Sequence, residues 1–132
     1  MKPIQADQGA ILPGSEIEVM NAVWTARAAV DRPVTTREIL ECASDHVKSL
    51  KITSVLTVLS RLNEKGFLRT EKVGRSSLYE PLVSQTEYRK HAVAHFIDNV
   101  MRGDRVSLAR FLAEEMTEEE KQAADVPAGP ES

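Results

Sequence analysis

Lys51-Ile52-Thr53-Ser54-Val55-Leu56-Thr57-Val58-Leu59-Ser60-Arg61-Leu62 is the stretch that decides how this chain of 132 residues is read. At helical period, Ile52, Val55, Leu59 and Leu62 gather on one side, and Thr53, Ser54, Thr57, Ser60 and Arg61 on the other. The first side is a core stripe. The second is short, hydroxyl-bearing and basic, where an ordinary solvated face carries more Glu and Lys. Short donors and acceptors beside an arginine suit a helix lying in a major groove, close to phosphates and base edges. Thr53, Ser54, Thr57 and Arg61 are the expected DNA contacts, with Lys51 near a phosphate.

Downstream, Glu64-Lys65-Gly66 ends this helix, with Gly66 placed for a left-handed cap. Phe67 to Val73 reads as a strand, Gly74-Arg75-Ser76-Ser77 as a turn, and Leu78-Tyr79-Glu80 as the return strand. Helix, cap and basic hairpin are the layout of a winged helix-turn-helix. Arg69 and Lys72 lie on the strand leading to the tip, and Arg75 at the tip reaches a minor groove or its flanking phosphates. Charge agrees. From Val47 to Tyr79 there are seven cations and two anions, a local net of +5 in a chain whose net is −3.

Upstream, Ser15-x-x-Glu18 reads as a capping box that opens a first helix running to about Ala28, with Ile17, Met20, Val23 and Trp24 inward. Asp31-Arg32-Pro33 breaks it, and Val34 is a short strand able to pair with the wing. Thr35-x-x-Glu38 is a second capping box. It opens a helix to about Ser44 with Ile39 and Leu40 inward, and a turn at Lys48 to Leu50 follows. The predicted fold class is mainly α with a small β-wing (α+β).

After Pro81, Thr86 caps a predicted helix from Glu87 to about Arg102 carrying Tyr88, Ala92, Val93, Phe96, Ile97 and Val100. Gly103 stops it. Asp104 caps another helix, striped by Leu108, Phe111, Leu112 and Met116. This is too much apolar surface to stand alone, so the two helices either fold back on their own domain or meet a second copy. Thr117-x-x-Glu120 caps a last short helix, whose carboxylates favour its N-terminus.

Composition excludes several classes. At 42% hydrophobic residues the chain has material for a core, yet no apolar run approaches the ~18–20 residues of a membrane span. The first seven residues lack the apolar centre of a secretory signal, and the lone Cys42 allows no internal disulfide, which fits a reducing cytoplasm. His91, His95 and Asp98 share one helix face, a spacing compatible with a transition metal or with a solvated edge. Cys42-x-x-x-His46 reads in the same two ways. No phosphate loop and no nucleophile elbow organises the remaining polar residues, so no enzyme and no cofactor are expected.

Three segments resemble the penicillinase-repressor family (BlaI/MecI/CopY type). Thr57 to Leu68 looks like its T-L-L-x-R-L-x-x-K-G-hydrophobic segment, and Gly74-Arg75 with Tyr79-Glu80-Pro81-Leu82 looks like its wing and exit. Ser15 to Trp24 is similar to its E-x-x-I/V-M-x-x-L/V-W first helix. The likeness runs from about Leu12 to Met116. It implies a homodimeric repressor, joined through C-terminal helices, on a palindromic operator in double-stranded DNA. Tyr88, Phe96, Val100, Leu108, Phe111 and Leu112 are then the expected dimerisation residues. The implied organisation is a flexible N-terminus at 1–12, a winged-helix DNA-binding domain at 13–83, a helical dimerisation region at 84–120 and a flexible tail at 121–132. The penicillinase branch of the family is switched off by a regulatory protease at an Asn-Phe bond. Spacing puts Arg110-Phe111 there, and no Asn-Phe occurs in the chain. A different protease specificity, or release without a cut, is expected. A metal- or effector-responsive regulator and a winged helix that binds only protein are the alternatives.

Overall fold

The structure, a computed structural model, describes residues 11–124, and the expectations placed on 1–10 and 125–132 lie outside that range. Helix α1 (Gly14–Val30) starts one residue before Ser15, behind Pro13 in extended geometry, and no side chain caps it. The predicted capping box at Ser15 is therefore corrected: Ile17 N–H already donates to Pro13 C=O at 2.9 Å, so Ser15 lies inside the helix. Its proposed partner Glu18 turns instead to His46 Nδ1, 2.6 Å away. The helix also runs past Ala28, and ends where Asp31 adopts φ +53° and closes onto Arg27 C=O. Met20, Val23 and Trp24 are buried as expected, and Val19, Ala22 and Ala26 join them. Ile17 stays half-buried at the margin.

Strand β1 (Val34–Thr35) leads directly into α2 (Thr36–Glu41). Here the capping box is real. Glu38 N–H donates to Thr35 Oγ1 at 3.1 Å, and Thr35 N–H donates to Glu38 Oε1 at 2.9 Å. Arg32 adds two donors to the same carboxylate, at 3.0 and 2.5 Å. The helix stops at Glu41 rather than Ser44, because Ser44 is itself a cap. Its hydroxyl accepts from Val47 N–H and opens a separate turn, α3 (Asp45–Lys48). A short polar side chain there competes with continued helix for the backbone.

Helix α4 (Ile52–Glu64) buries Val55, Val58, Leu59 and Leu62. Its end is a complete Schellman motif. Gly66 has φ +85°, its N–H donates to Asn63 C=O, and Phe67 N–H donates to Leu62 C=O. Phe67 and Leu62 are both fully buried, so the cap is sealed by an apolar contact at the expected positions. Strands β2 (Leu68–Val73) and β3 (Ser76–Pro81) form the wing, with Gly74 and Arg75 alone in the turn. Positive φ falls on Gly74 (+64°) and not on Arg75, the pattern of a II′ hairpin turn. The three strands are antiparallel in the order β1-β3-β2, with Val34 opposite Tyr79 and Thr70 opposite Tyr79 on the other side.

Helix α5 (Gln85–Asn99) is capped by Ser84, whose hydroxyl accepts from Glu87 N–H, and not by Thr86. The chain divides into two compact units, one ending at Ala92 and the other starting at Val93, so α5 is shared between them. Tyr88 and Ala92 pack into the first unit. Tyr88 is buried against Trp24 and Phe67, and its hydroxyl accepts from Leu12 N–H at 2.9 Å. Leu12, expected in a loose terminus, is therefore anchored. Trp24 donates its indole N–H to Val83 C=O at 2.9 Å, fixing the exit from the wing. Beneath the α4 cap, buried Glu16 holds Lys65 Nζ at 2.5 Å.

The second unit carries α6 (Arg105–Glu115) and α7 (Glu118–Ala124). Asp104 caps α6 as expected, accepting from Ser107 N–H, and that bond holds its carboxyl below the usual range. Thr117 and Glu120 form the expected reciprocal cap of α7. Residues 121–124, expected in a tail, continue that helix. Neither α6 nor α7 buries any residue.

Candidate nucleic-acid interface

Four cations (Lys51, Arg61, Lys72 and Arg75) and four hydroxyls (Thr53, Ser54, Thr57 and Ser60) on α4 and the wing are exposed. Val55, Val58, Leu59 and Leu62 fix the roll of α4, and that roll exposes Thr53, Ser54, Thr57, Ser60 and Arg61. Thr53, Thr57 and Ser60 take the centre of the outward face, with Ser54 and Arg61 on one flank. Lys51 stands exposed at the N-cap position. The Thr57 hydroxyl donates to Thr53 C=O at 2.9 Å, so its proton is committed within the helix while its lone pairs remain acceptors.

The other flank of α4 faces the wing. Asn63 Oδ1 accepts from Thr70 Oγ1 of β2 at 2.9 Å. Along β2, side chains alternate, and Lys72 falls on the same face as Thr70. Lys72 and the tip residue Arg75 line a cleft of about 370 Å³ whose far wall includes Ile52 and Leu56. Arg69, on the opposite face of the hairpin, lines a different depression with Trp24, Arg27 and Glu80. The expected contacts therefore separate. Lys51, Thr53, Ser54, Thr57 and Arg61 share α4, Lys72 and Arg75 stand beside it, and Arg69 does not join them.

Two placements differ from the sequence expectation. Ile52, expected inward, is 49% exposed, because it begins the helix at the edge of the apolar stripe, and Val58 takes the buried position instead. Thr36 and Arg37, at the start of α2, also line the cleft, with Arg37 Nε 3.5 Å from Glu41. No local pattern in the sequence marks them, since their approach depends on β1 pairing with β3 at Val34–Tyr79.

Phe96, Val100, Phe111 and Leu112 are exposed and Leu108 is half-exposed. Tyr88 is a core residue of its own chain and not free to meet a second copy. Arg110 and Phe111 are exposed within α6. His46 faces Glu18 rather than Cys42, and among the described residues no three His, Cys, Asp or Glu side chains converge to hold a metal ion. Nor is any helix among them long and apolar enough to cross a membrane.

The sequence profile of the family described as penicillinase repressor matches residues 12–126. A curated 16.5 kDa protein of Latilactobacillus sakei, described as uncharacterized and lying in the ptsI 3′ region, is 29% identical over 86 residues. The match takes in 65% of this chain and 55% of that relative, so the chain spans about half the relative's length.

Proposed function

The chain belongs to the penicillinase repressor family, and from that premise we propose that it represses transcription by binding a two-fold-symmetric operator as a homodimer. The family consists of regulators rather than enzymes. The observation that carries the reading is the outward face of α4. Thr53, Thr57 and Arg61 are exposed on α4, and Lys72 and Arg75 line the cleft on its wing-facing flank, with the local excess of positive charge set in an otherwise acidic chain. Hydroxyls reach base edges and the cations reach phosphates. The exposed apolar side chains Phe96, Val100, Phe111 and Leu112 support the dimer. Two copies related by a two-fold axis present two recognition helices to successive major grooves. Bound across a promoter, such a dimer occludes RNA polymerase, and its place is the cytoplasm. Arg110-Phe111 lies inside helical α6, so a regulatory protease acting there has to unwind a turn first.

Binding of the full chain to a random duplex pool tests the reading. A palindromic sequence is expected to be enriched, and its affinity to fall steeply as salt rises. A winged helix used only for protein contacts enriches nothing, and that result would overturn the proposal.

A further inference from the structure

Ile52 and Leu56 are 49% and 42% exposed, an apolar pair one turn apart on α4. Single exposed leucines are ordinary on protein surfaces. This pair is set apart by its surroundings. It lines the cleft described above, whose other walls carry Arg37, Lys72, Arg75 and Ser77, and no carboxylate lines it. An apolar wall rimmed by cations matches a major groove, where phosphates run along the edges and the C5-methyl of thymine projects from the floor. Position matches as well. Ile52 is the first residue of α4 and Leu56 follows one turn later, and the N-terminal residues of a recognition helix are those that meet base edges. Neither side chain donates or accepts a hydrogen bond, so the methyl is the one base-edge group in that groove to which they are complementary.

We propose that Ile52 and Leu56 read thymine methyl groups and so set part of the operator specificity. The proposal rests on the reading of α4 as a DNA-binding helix. It assigns specificity to two residues that the polar face alone does not include. The hydroxyls of Thr53 and Thr57 then select hydrogen-bonding edges, and the apolar pair selects thymine at neighbouring positions.

The test uses the full chain and the duplex enriched from the random pool. Each thymine is replaced in turn by deoxyuridine, which removes only the methyl. Binding is expected to weaken about fourfold at one or two positions per half-site, the fold-change corresponding to ~0.8 kcal/mol for one buried carbon group. Ile52→Ala and Leu56→Ala should each lose the thymine-over-uracil ratio at one such position. Both should stay folded with a thermal midpoint close to the parent's, since neither side chain belongs to the core cluster. Indifference to uracil at every thymine, or the full ratio retained in both variants, overturns the proposal and leaves DNA binding standing. A chain that enriches no duplex removes the DNA reading, and the proposal with it.

Discussion

Thr57 has its hydroxyl proton tied to Thr53 C=O, and this limits what it can offer a base. It accepts from an amino group, or it presents its methyl. Thr57→Ala is expected to cost operator affinity about 1–3 kcal/mol and to relax preference at one base pair. Arg61, on the flank of α4, has no base-edge geometry to satisfy, so Arg61→Ala should weaken selected and random duplexes by the same factor. Competition binding against both duplexes separates the two effects. Unchanged affinity in both variants, with folding intact, removes these residues from the interface. At this scale the polar face of α4 was fully legible, because hydroxyls and cations recur at helical spacing within one segment. Ile52 was not. Periodicity gives the centre of a buried stripe well and its edges badly, and an edge residue at a helix start is decided by what packs beside it. Glu16, buried against Lys65 far along the chain, left no local sign at all.

The helix caps show where local chemistry suffices. Thr35-x-x-Glu38 and Thr117-x-x-Glu120 close as written, while Ser15 yields to Pro13 and Thr86 to Ser84. In each failed case an earlier residue already starts the helix, and the candidate cap falls inside it. The Thr35 box also has a titration signature. Donation from Arg32, then from Thr35 N–H, holds the Glu38 carboxyl down from 4.5 to about 2. A group depressed on folding contributes stability that is full above its unfolded value and lost as pH falls through the folded one. Urea midpoints should thus drop between about pH 4.5 and 2 by more in the parent than in Glu38→Gln. Equal drops would show that the charge on Glu38 adds nothing to stability. The hairpin makes a separate prediction. With Arg75 in a two-residue turn beside Lys72, Arg75→Ala should lower the slope of log affinity against log salt by about one unit. An identical slope in mutant and parent would place the tip away from phosphate.

For the whole molecule, the succession of first helix, short strand, recognition helix and wing was written in the sequence, because strand pairing and turn glycine agreed, while the separate α3 behind Ser44 was missed. The reach of the first unit into α5 was not, since Tyr88 and Ala92 sit in an apolar band whose members look alike until the core selects two. The remaining band is the proposed dimer surface. Phe111→Glu places a charge among exposed apolar groups and is expected to shift the chain to monomers in sedimentation equilibrium. Operator affinity should fall by about a hundredfold or more as the two half-sites lose their linkage. A parent protein that is monomeric at micromolar concentration contradicts the assembly.

Gly66 joins α4 to the wing with no slack. Its Schellman bonds and the buried Phe67 fix the three residues, Lys65, Gly66 and Phe67, that lie between the end of the helix and the start of β2. Helix and hairpin are therefore spaced like the two jaws of a caliper, tied at the hinge by the buried Phe67 and across the gap by the Asn63–Thr70 hydrogen bond. Such an instrument forgives a wrong letter more easily than a wrong distance. On the proposed operator, deleting one base pair between the stretch under α4 and the stretch under Arg75 is therefore expected to cost more affinity than a substitution under either.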